Sequence, residues 1–144
     1  MGFGFPAALG AKLARPDVPV IDIAGDGSFL MTGNSLATSI EEQIPVTVVI
    51  LNNRMLGMVA QWQRFFYKRR YSSVHLGKVP DYVKLAEAYG ARGIRVNNFP
   101  ELEKAITGAI KSEVTTVIDV PISPEENVLP MLPPGAGIKE MVVG

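Results

Sequence analysis

No cysteine occurs among the 144 residues, so disulfide staples and thiolate chemistry are excluded. Histidine occurs once, as His75 in a polar loop, a poor position for a general base. Net charge is missing as well: 14 basic residues balance 14 acidic ones, and Lys68-Arg69-Arg70 is too short a run to form a phosphate-tracking stripe, which argues against nucleic acid as a partner. No apolar run reaches membrane-spanning length, and the first apolar stretch is broken by Pro6, Gly10 and Lys12, so neither a membrane segment nor a signal peptide is expected and a cytoplasmic setting follows by default. Clustered carboxylates are absent too. Between Ala24 and Leu56 the acids are Asp26, Glu41 and Glu42, with the last two a helix-length from the first, which makes calcium an unsuitable ion. The first strand is not followed by Gly-x-Gly-x-x-Gly and the second ends without an acid, so a dinucleotide-binding Rossmann unit fits poorly. There is no internal repeat.

What is present is a soluble, globular composition, 47% apolar, of a length suited to one domain with its own core. Hydrophobic periodicity predicts helices over 6–14, 35–43, 58–67, 81–89 and 100–112, and strands over 18–24, 46–51, 93–96 and 115–120. Such alternation means an α/β fold: a doubly wound parallel sheet with helices on both faces. We expect the α/β domain to occupy residues 1–122, with 123–144 as a Pro- and Gly-rich tail, frayed or folded over the site as a lid anchored at Val128-Leu129-Pro130-Met131-Leu132-Pro133. Because a helix opens the sequence where a doubly wound domain would start with a strand, the chain reads as a piece of something larger.

One pairing carries the functional argument. Gly25-Asp26-Gly27-Ser28 closes the first strand, and Asn52-Asn53 closes the next, so in a parallel β-α-β unit both lie at carboxyl strand ends, where open α/β sheets bind ligands. Each motif alone is an ordinary turn. Together they supply one carboxylate, one amide oxygen and many backbone donors, which suits Mg²⁺, an ion that shares its six oxygens between one or two protein groups and substrate phosphates. Gly25 and Gly27 are expected to supply strained backbone angles and close approach for phosphate oxygens, Ser28 a hydroxyl donor, and Asn34 or Ser35 the cap of the next helix. Asn97-Asn98, with no preceding Gly-Asp-Gly strand, reads as an ordinary loop.

These motifs, with Met1-Gly2-Phe3-Gly4-Phe5-Pro6-Ala7-Ala8, Leu56-Gly57-Met58-Val59, Gln61-Trp62 and Val128-Leu129-Pro130-Met131, resemble the carboxyl-terminal thiamine-diphosphate-binding domain of acetohydroxyacid (acetolactate) synthase catalytic subunits, nearly end to end. The resemblance implies thiamine diphosphate and Mg²⁺ as cofactors. It implies Asp26, Asn53 and the carbonyl of Met55 as cation ligands, and Gly25, Gly27, Ser28, Gly57 and Met58 around the diphosphate. Met1 would prop the cofactor in its bent shape, Gly2 would admit the pyrimidine, and Trp62 would face the second oxoacid, carried to the cofactor mouth by its helix. The implied reaction decarboxylates pyruvate and joins its two-carbon unit to a second 2-oxoacid, in branched-chain amino acid biosynthesis. No catalytic residue is expected in this chain, because the activating glutamate would come from a different domain of a neighbouring subunit. Partners are accordingly the other domains of the enzyme, further copies in a homo-oligomer and a regulatory small subunit. Ser35 stands where many relatives carry an acid, and Pro133-Pro134-Gly135 replaces a serine-containing stretch, two departures from the pattern.

Three alternatives remain at this point. The chain could serve another thiamine-diphosphate decarboxylase or carboligase, act as the small part of a split enzyme, or be a non-catalytic module that holds a nucleotide diphosphate.

Overall fold

The computed structural model describes residues 1–143; Gly144, the end of the expected tail, lies outside the described residues. Four strands, β1 (Ile21–Gly25), β2 (Thr47–Asn52), β3 (Arg92–Arg95) and β4 (Thr116–Pro121), form one parallel sheet in the order β1-β2-β4-β3. Parallel neighbours need crossovers, and helices supply them: α2 (Asp26–Leu30) and α3 (Leu36–Glu41) between β1 and β2, α4 (Gly57–Phe66) and α5 (Tyr82–Ala88) between β2 and β3, and α6 (Phe99–Ala109) between β3 and β4, while α1 (Gly4–Ala14) precedes the sheet. Successive side chains on a strand point to opposite faces. Val48 and Ile50 of β2, with Val117 of β4, meet Phe5, Leu9, Phe29, Leu36, Tyr82 and Ala86 from α1, α2, α3 and α5. Val49 and Ile118 point the other way, into Ala105 and Ala109 of α6. The sheet therefore has helices on both faces, and its central strands are mostly apolar because both faces are buried, with Asp119 of β4 a buried exception. Coverage is unequal: on β1, Ile21 and Ile23 remain 43% and 71% exposed.

Several boundaries differ from expectation. The first strand starts at Ile21 rather than at residue 18, since Pro19 has no N–H to give a ladder. The polypeptide does not turn tightly through Gly-Asp-Gly; Gly25 is extended (φ −76°, ψ 153°), and Asp26 opens the five-residue helix α2. Neither Gly25 nor Gly27 is among the glycines with left-handed φ, so the expected strained angles are absent. The helix expected over 35–43 is split into a 3₁₀ turn, Gly33–Ser35, and α3. Ser35 sits in the αR region with no side-chain cap bond, because the turn merges into the helix and leaves no extended capping residue; the expected Asn34 or Ser35 cap is not made. Asn97-Asn98, read as a plain loop, is a cap: the Asn98 side chain accepts from Glu101 N–H at 2.9 Å, and Glu101 accepts in return from Asn97 N–H at 2.8 Å.

The tail is packed rather than frayed. Met131 is buried and exchanges backbone bonds with Val142, while residues 124–128 lie against α4 through Gln61 and Arg64. Among the described residues no helix is long and apolar enough to cross a membrane.

Candidate functional site

Register brings the two motifs together. β1 and β2 are hydrogen-bonded neighbours with Gly25 opposite Leu51, so Asp26 and Asn52-Asn53 leave adjacent strand ends on the same edge. A cavity of about 370 Å³ opens there. It is lined by all nine residues expected to hold cofactor or cation: Met1, Gly25, Asp26, Gly27, Ser28, Asn53, Met55, Gly57 and Met58.

Asp26 is 2% exposed, and its Oδ1 accepts from the N–H of Gly27 at 3.0 Å. Burial pushes its carboxyl pKa up, backbone N–H bonds pull it back, and the charge of Asp119 adds to the rise. Among the described residues no Lys or Arg forms an ion pair with it. A buried carboxylate without a countercharge is one that a cation would stabilise. Tyr82, whose phenol is pushed up to about 12 by burial and then by the charges of Asp26 and Asp119, stays protonated and donates to the Asp26 carbonyl at 3.2 Å.

The second loop presents oxygens from Asn53 and Met55. Asn53 Oδ1 accepts from Met55 N–H at 3.0 Å and keeps a further lone pair. Leu56 N–H donates to Val74 and Leu76 N–H to Arg54, so the antiparallel bridge between Met55 and His75 leaves the Met55 carbonyl out of its bonds. A Cβ on Gly57 would lie 3.0 Å from Asn53 Nδ2, which is why glycine follows at that point. Gly57 also opens α4, whose first-turn N–H groups lack helical acceptors and face the cavity edge, a favourable place for a phosphate.

Gly27 contributes space instead of unusual angles. A Cβ there would lie 2.9 Å from Leu56 and 3.1 Å from Leu76. Ser28 Oγ accepts from Gly2 N–H at 3.0 Å, which leaves the hydroxyl proton free to point at an anion. Gly2 has φ +74°, where its missing Cβ would also crowd Met31 and Thr32. Its neighbour Met1 stands 68% exposed at the rim.

Trp62 departs from expectation. Its indole, edge-on to Phe66 with centroids 5.5 Å apart, lines a separate cleft of about 540 Å³ with Val59, Gln63, Tyr67, Arg70 and Ser72, not the Asp26 cavity. Gln61 lines the Asp26 cavity, whereas Trp62, 100° further round the helix, opens on the neighbouring cleft. Val59 lines both spaces and makes them neighbours. His75 and Ser35 lie outside the cavity.

Of the two expectations for the tail, frayed or folded over the site, the structure favours the second, with the contact starting just upstream of the expected anchor. Glu126, Asn127 and Val128 line the cavity. Sequence reasoning missed a polar relay behind the second loop. Asn52 Nδ2 donates to Asp119 Oδ1 at 2.8 Å, Arg95 Nε donates to Asp119 Oδ2 at 2.9 Å, and Arg95 donates again to Asp81, the cap of α5, at 3.0 Å. The spacing of these residues, 67 and 24 apart, offers no local pattern to detect.

Comparison with known proteins agrees with this geometry. The family described as "Thiamine pyrophosphate enzyme, C-terminal TPP binding domain" matches residues 1–120. A probable acetolactate synthase large subunit of Methanocaldococcus jannaschii is 50% identical over 99% of this chain, and the chain covers 24% of that protein. The acetolactate synthase isozyme 2 large subunit of Escherichia coli is 43% identical over 99% of the chain, which covers 26% of it. The catalytic subunit of mitochondrial acetolactate synthase from Saccharomyces cerevisiae is 42% identical over 99%, with 20% of its length covered. Among solved structures, a thiamine diphosphate-dependent 4-hydroxybenzoylformate decarboxylase of Rhodococcus jostii superposes with a TM-score of 0.80 at 34% identity, over 85% of this chain and 23% of its own. The chain thus spans about a quarter of the length of these relatives. A parallel sheet, a cavity with one buried carboxylate at two adjacent strand ends and a family match over most of the length lead to one assignment: the chain belongs to the thiamine pyrophosphate enzyme family, as its C-terminal TPP binding domain.

Proposed function

We propose that the chain is the cofactor-binding part of an acetolactate synthase, an enzyme that decarboxylates pyruvate and transfers the two-carbon unit to a second 2-oxoacid. The observation that carries this is the donor set around Asp26. A single buried carboxylate with no basic partner, an amide oxygen on Asn53 and an unengaged carbonyl on Met55 fit a Mg²⁺ ion that completes its shell with diphosphate oxygens. The identity of the relatives supports the choice of reaction.

Asp26, Asn53 and the Met55 carbonyl would hold the ion; Gly27, Ser28, and the first-turn N–H groups of α4 at Gly57 and Met58 would hold the diphosphate. Ser28 orients its hydroxyl through the bond it accepts from Gly2, and Tyr82 fixes the main chain of Asp26. Met1 at the rim would support the bend of the cofactor. Thiamine diphosphate itself supplies the nucleophilic carbon that makes a 2-oxoacid lose CO₂. The second oxoacid would be sensed by Trp62 from the adjoining cleft, across the shared residue Val59. The glutamate that activates the pyrimidine, the other domains and further subunits would come from outside these residues.

Calorimetry of the 144-residue chain with thiamine diphosphate and Mg²⁺, against ADP and Mg²⁺, tests the reading. Mg²⁺-dependent binding of thiamine diphosphate, weaker ADP binding and no acetolactate from pyruvate by the chain alone are the expected results. ADP binding at equal or better affinity would replace the proposal with a nucleotide-diphosphate module.

A further inference from the structure

Gln61 and Arg64 sit one turn apart on α4, so they share a face, and they are 2% and 9% exposed. Polar side chains this long are buried only where acceptors wait for them. For Gln61 the partner is the tail's main chain: Nε2 donates to the Val128 carbonyl at 3.0 Å, and Val128 N–H donates to Oε1 at 2.7 Å. Arg64 reaches further along the same segment. Its guanidinium donates to the carbonyls of Pro124 at 3.0 Å and Glu125 at 2.9 Å, to the side-chain oxygen of Asn127, and, from Nε, to the Tyr71 hydroxyl at 3.1 Å. The one carboxylate in reach, that of Glu125, is 3.4 Å away and 67% exposed, a screened and weak countercharge. What keeps the fork buried is a set of four neutral acceptors, three of them on residues 124–127. Glu126 and Asn127 of that segment, with the next residue Val128, form one wall of the Asp26 cavity.

We infer that Arg64 is a positioning residue for that cavity: its guanidinium pins residues 124–127 as a strap, and the pinned strap holds Glu126–Val128 in place as the cavity wall. The consequence for ligand binding rests on the reading that the cavity takes thiamine diphosphate. Without Arg64 the strap has only its Gln61–Val128 pair to seat it and loses its upstream fixing. If the seated strap falls to about a fifth of the population, the apparent dissociation constant rises about fivefold, with every group that faces the diphosphate intact.

Amide exchange and calorimetry on the full 144-residue chain test this, with Arg64→Leu and Arg64→Lys as the variants. For Arg64→Leu the N–H groups of Val128 and Met131 exchange at least about tenfold faster, those of Ile50 and Ile118 in the sheet keep their protection, and the dissociation constant for thiamine diphosphate with Mg²⁺ rises about fivefold. Arg64→Lys falls between, since an ammonium reaches fewer of the four acceptors. Unchanged exchange in the tail, equal acceleration in tail and sheet, or a loosened tail with unchanged cofactor affinity each overturns the inference. If Arg64→Leu does not fold, Asn127→Ala, which removes one strap acceptor, decides through the same exchange pattern. Should the unaltered chain bind no thiamine diphosphate, the cofactor reading fails, and exchange at Val128 and Met131 alone settles whether Arg64 pins the strap.

Discussion

Asp26→Asn should make the empty protein more stable and the loaded protein less so. The ionised carboxylate lies buried with one N–H bond from Gly27 and no ion pair among the described residues. An amide at this position can still accept from Gly27 through its oxygen, yet it has no charge to desolvate, which removes a penalty of about 1 kcal/mol. For a chain of this size that corresponds to a rise of about 3–5 °C in melting temperature without ligand. Loaded, the order reverses: ligand at one hundred times its dissociation constant stabilises the unaltered protein by about 2.7 kcal/mol, or on the order of 10 °C. The variant, lacking the carboxylate proposed to hold the cation, should show almost none of that rise. The pH dependence follows from the direction of the shift. Burial raises the folded pKa of Asp26 above its unfolded value, so this group's contribution to the stability of the empty protein is complete below the unfolded value and is lost as pH rises through the folded one. The gap between Asp26→Asn and the unaltered chain therefore opens with rising pH and closes in acid. Thermal melts across pH 4–8, with and without thiamine diphosphate and Mg²⁺, read all of this. A variant that melts lower when empty, or that keeps the full ligand-induced rise, refutes the view of Asp26 as an unpaired carboxylate poised for a cation.

Three further outcomes follow from single contacts. Gly93→Ala on β3 places a Cβ 2.6 Å from the Val83 carbonyl and 2.8 Å from its Cα, main-chain atoms that cannot rotate away, so urea denaturation should show a loss of about 1–3 kcal/mol; an unchanged midpoint would mean that α5 is not pressed on the sheet there. Asp119→Leu strands the buried Asn52 amide and leaves Arg95 with Asp81 alone; a loss of about 1–3 kcal/mol in the same assay, with weaker cofactor binding, is expected, and a neutral result would deny the relay any role. Asp22 is buried with Oδ2 unpartnered, and burial pushes its pKa up, so Asp22→Asn should stabilise by about 1 kcal/mol above the folded pKa and not below the unfolded one; equal stability at all pH values would show that the carboxyl is neutral or solvated.

What could be read from residues alone divides along a physical line. The parallel sheet was legible because Val46–Leu51 and Val18–Ala24 are apolar runs of strand length with a helix between them, and because parallel pairing forces both following loops to one edge. The placing of Asp26, Gly27, Ser28 and Asn53 at one cavity follows from that single inference, whereas Met1, Met55, Gly57 and Met58 came from the family resemblance. Local chemistry was less secure. Gly-Asp-Gly was read through its glycines as a strained turn, whereas Asp26 begins a helix and Gly27 is needed for the room its missing Cβ leaves beside Leu56 and Leu76, a tertiary demand with no local trace. Trp62 was placed by its nearness in sequence to Gly57, but 100° per residue turns neighbours on a helix to different faces, and the indole opens on the next cleft.

Buried polar side chains were the least legible of all, and the reason is general. Periodicity detects apolar faces, so Gln61 and Arg64 scan as the wet side of an amphipathic helix. They are buried only because residues 124–128, some 60 positions later, bring carbonyls and an N–H to meet them. The same segment reads by composition as frayed, since Pro and Gly carry no periodicity and its order resides in the partners on α4. Neither half announces the other; the two become intelligible as one feature, a polar helix face and an irregular strap that satisfy each other's hydrogen bonds. That mutual satisfaction places the tail in the wall of the Asp26 cavity, and on the proposed function it gives α4 two tasks: a first turn that would meet the diphosphate and a second and third turn that hold the wall beside it.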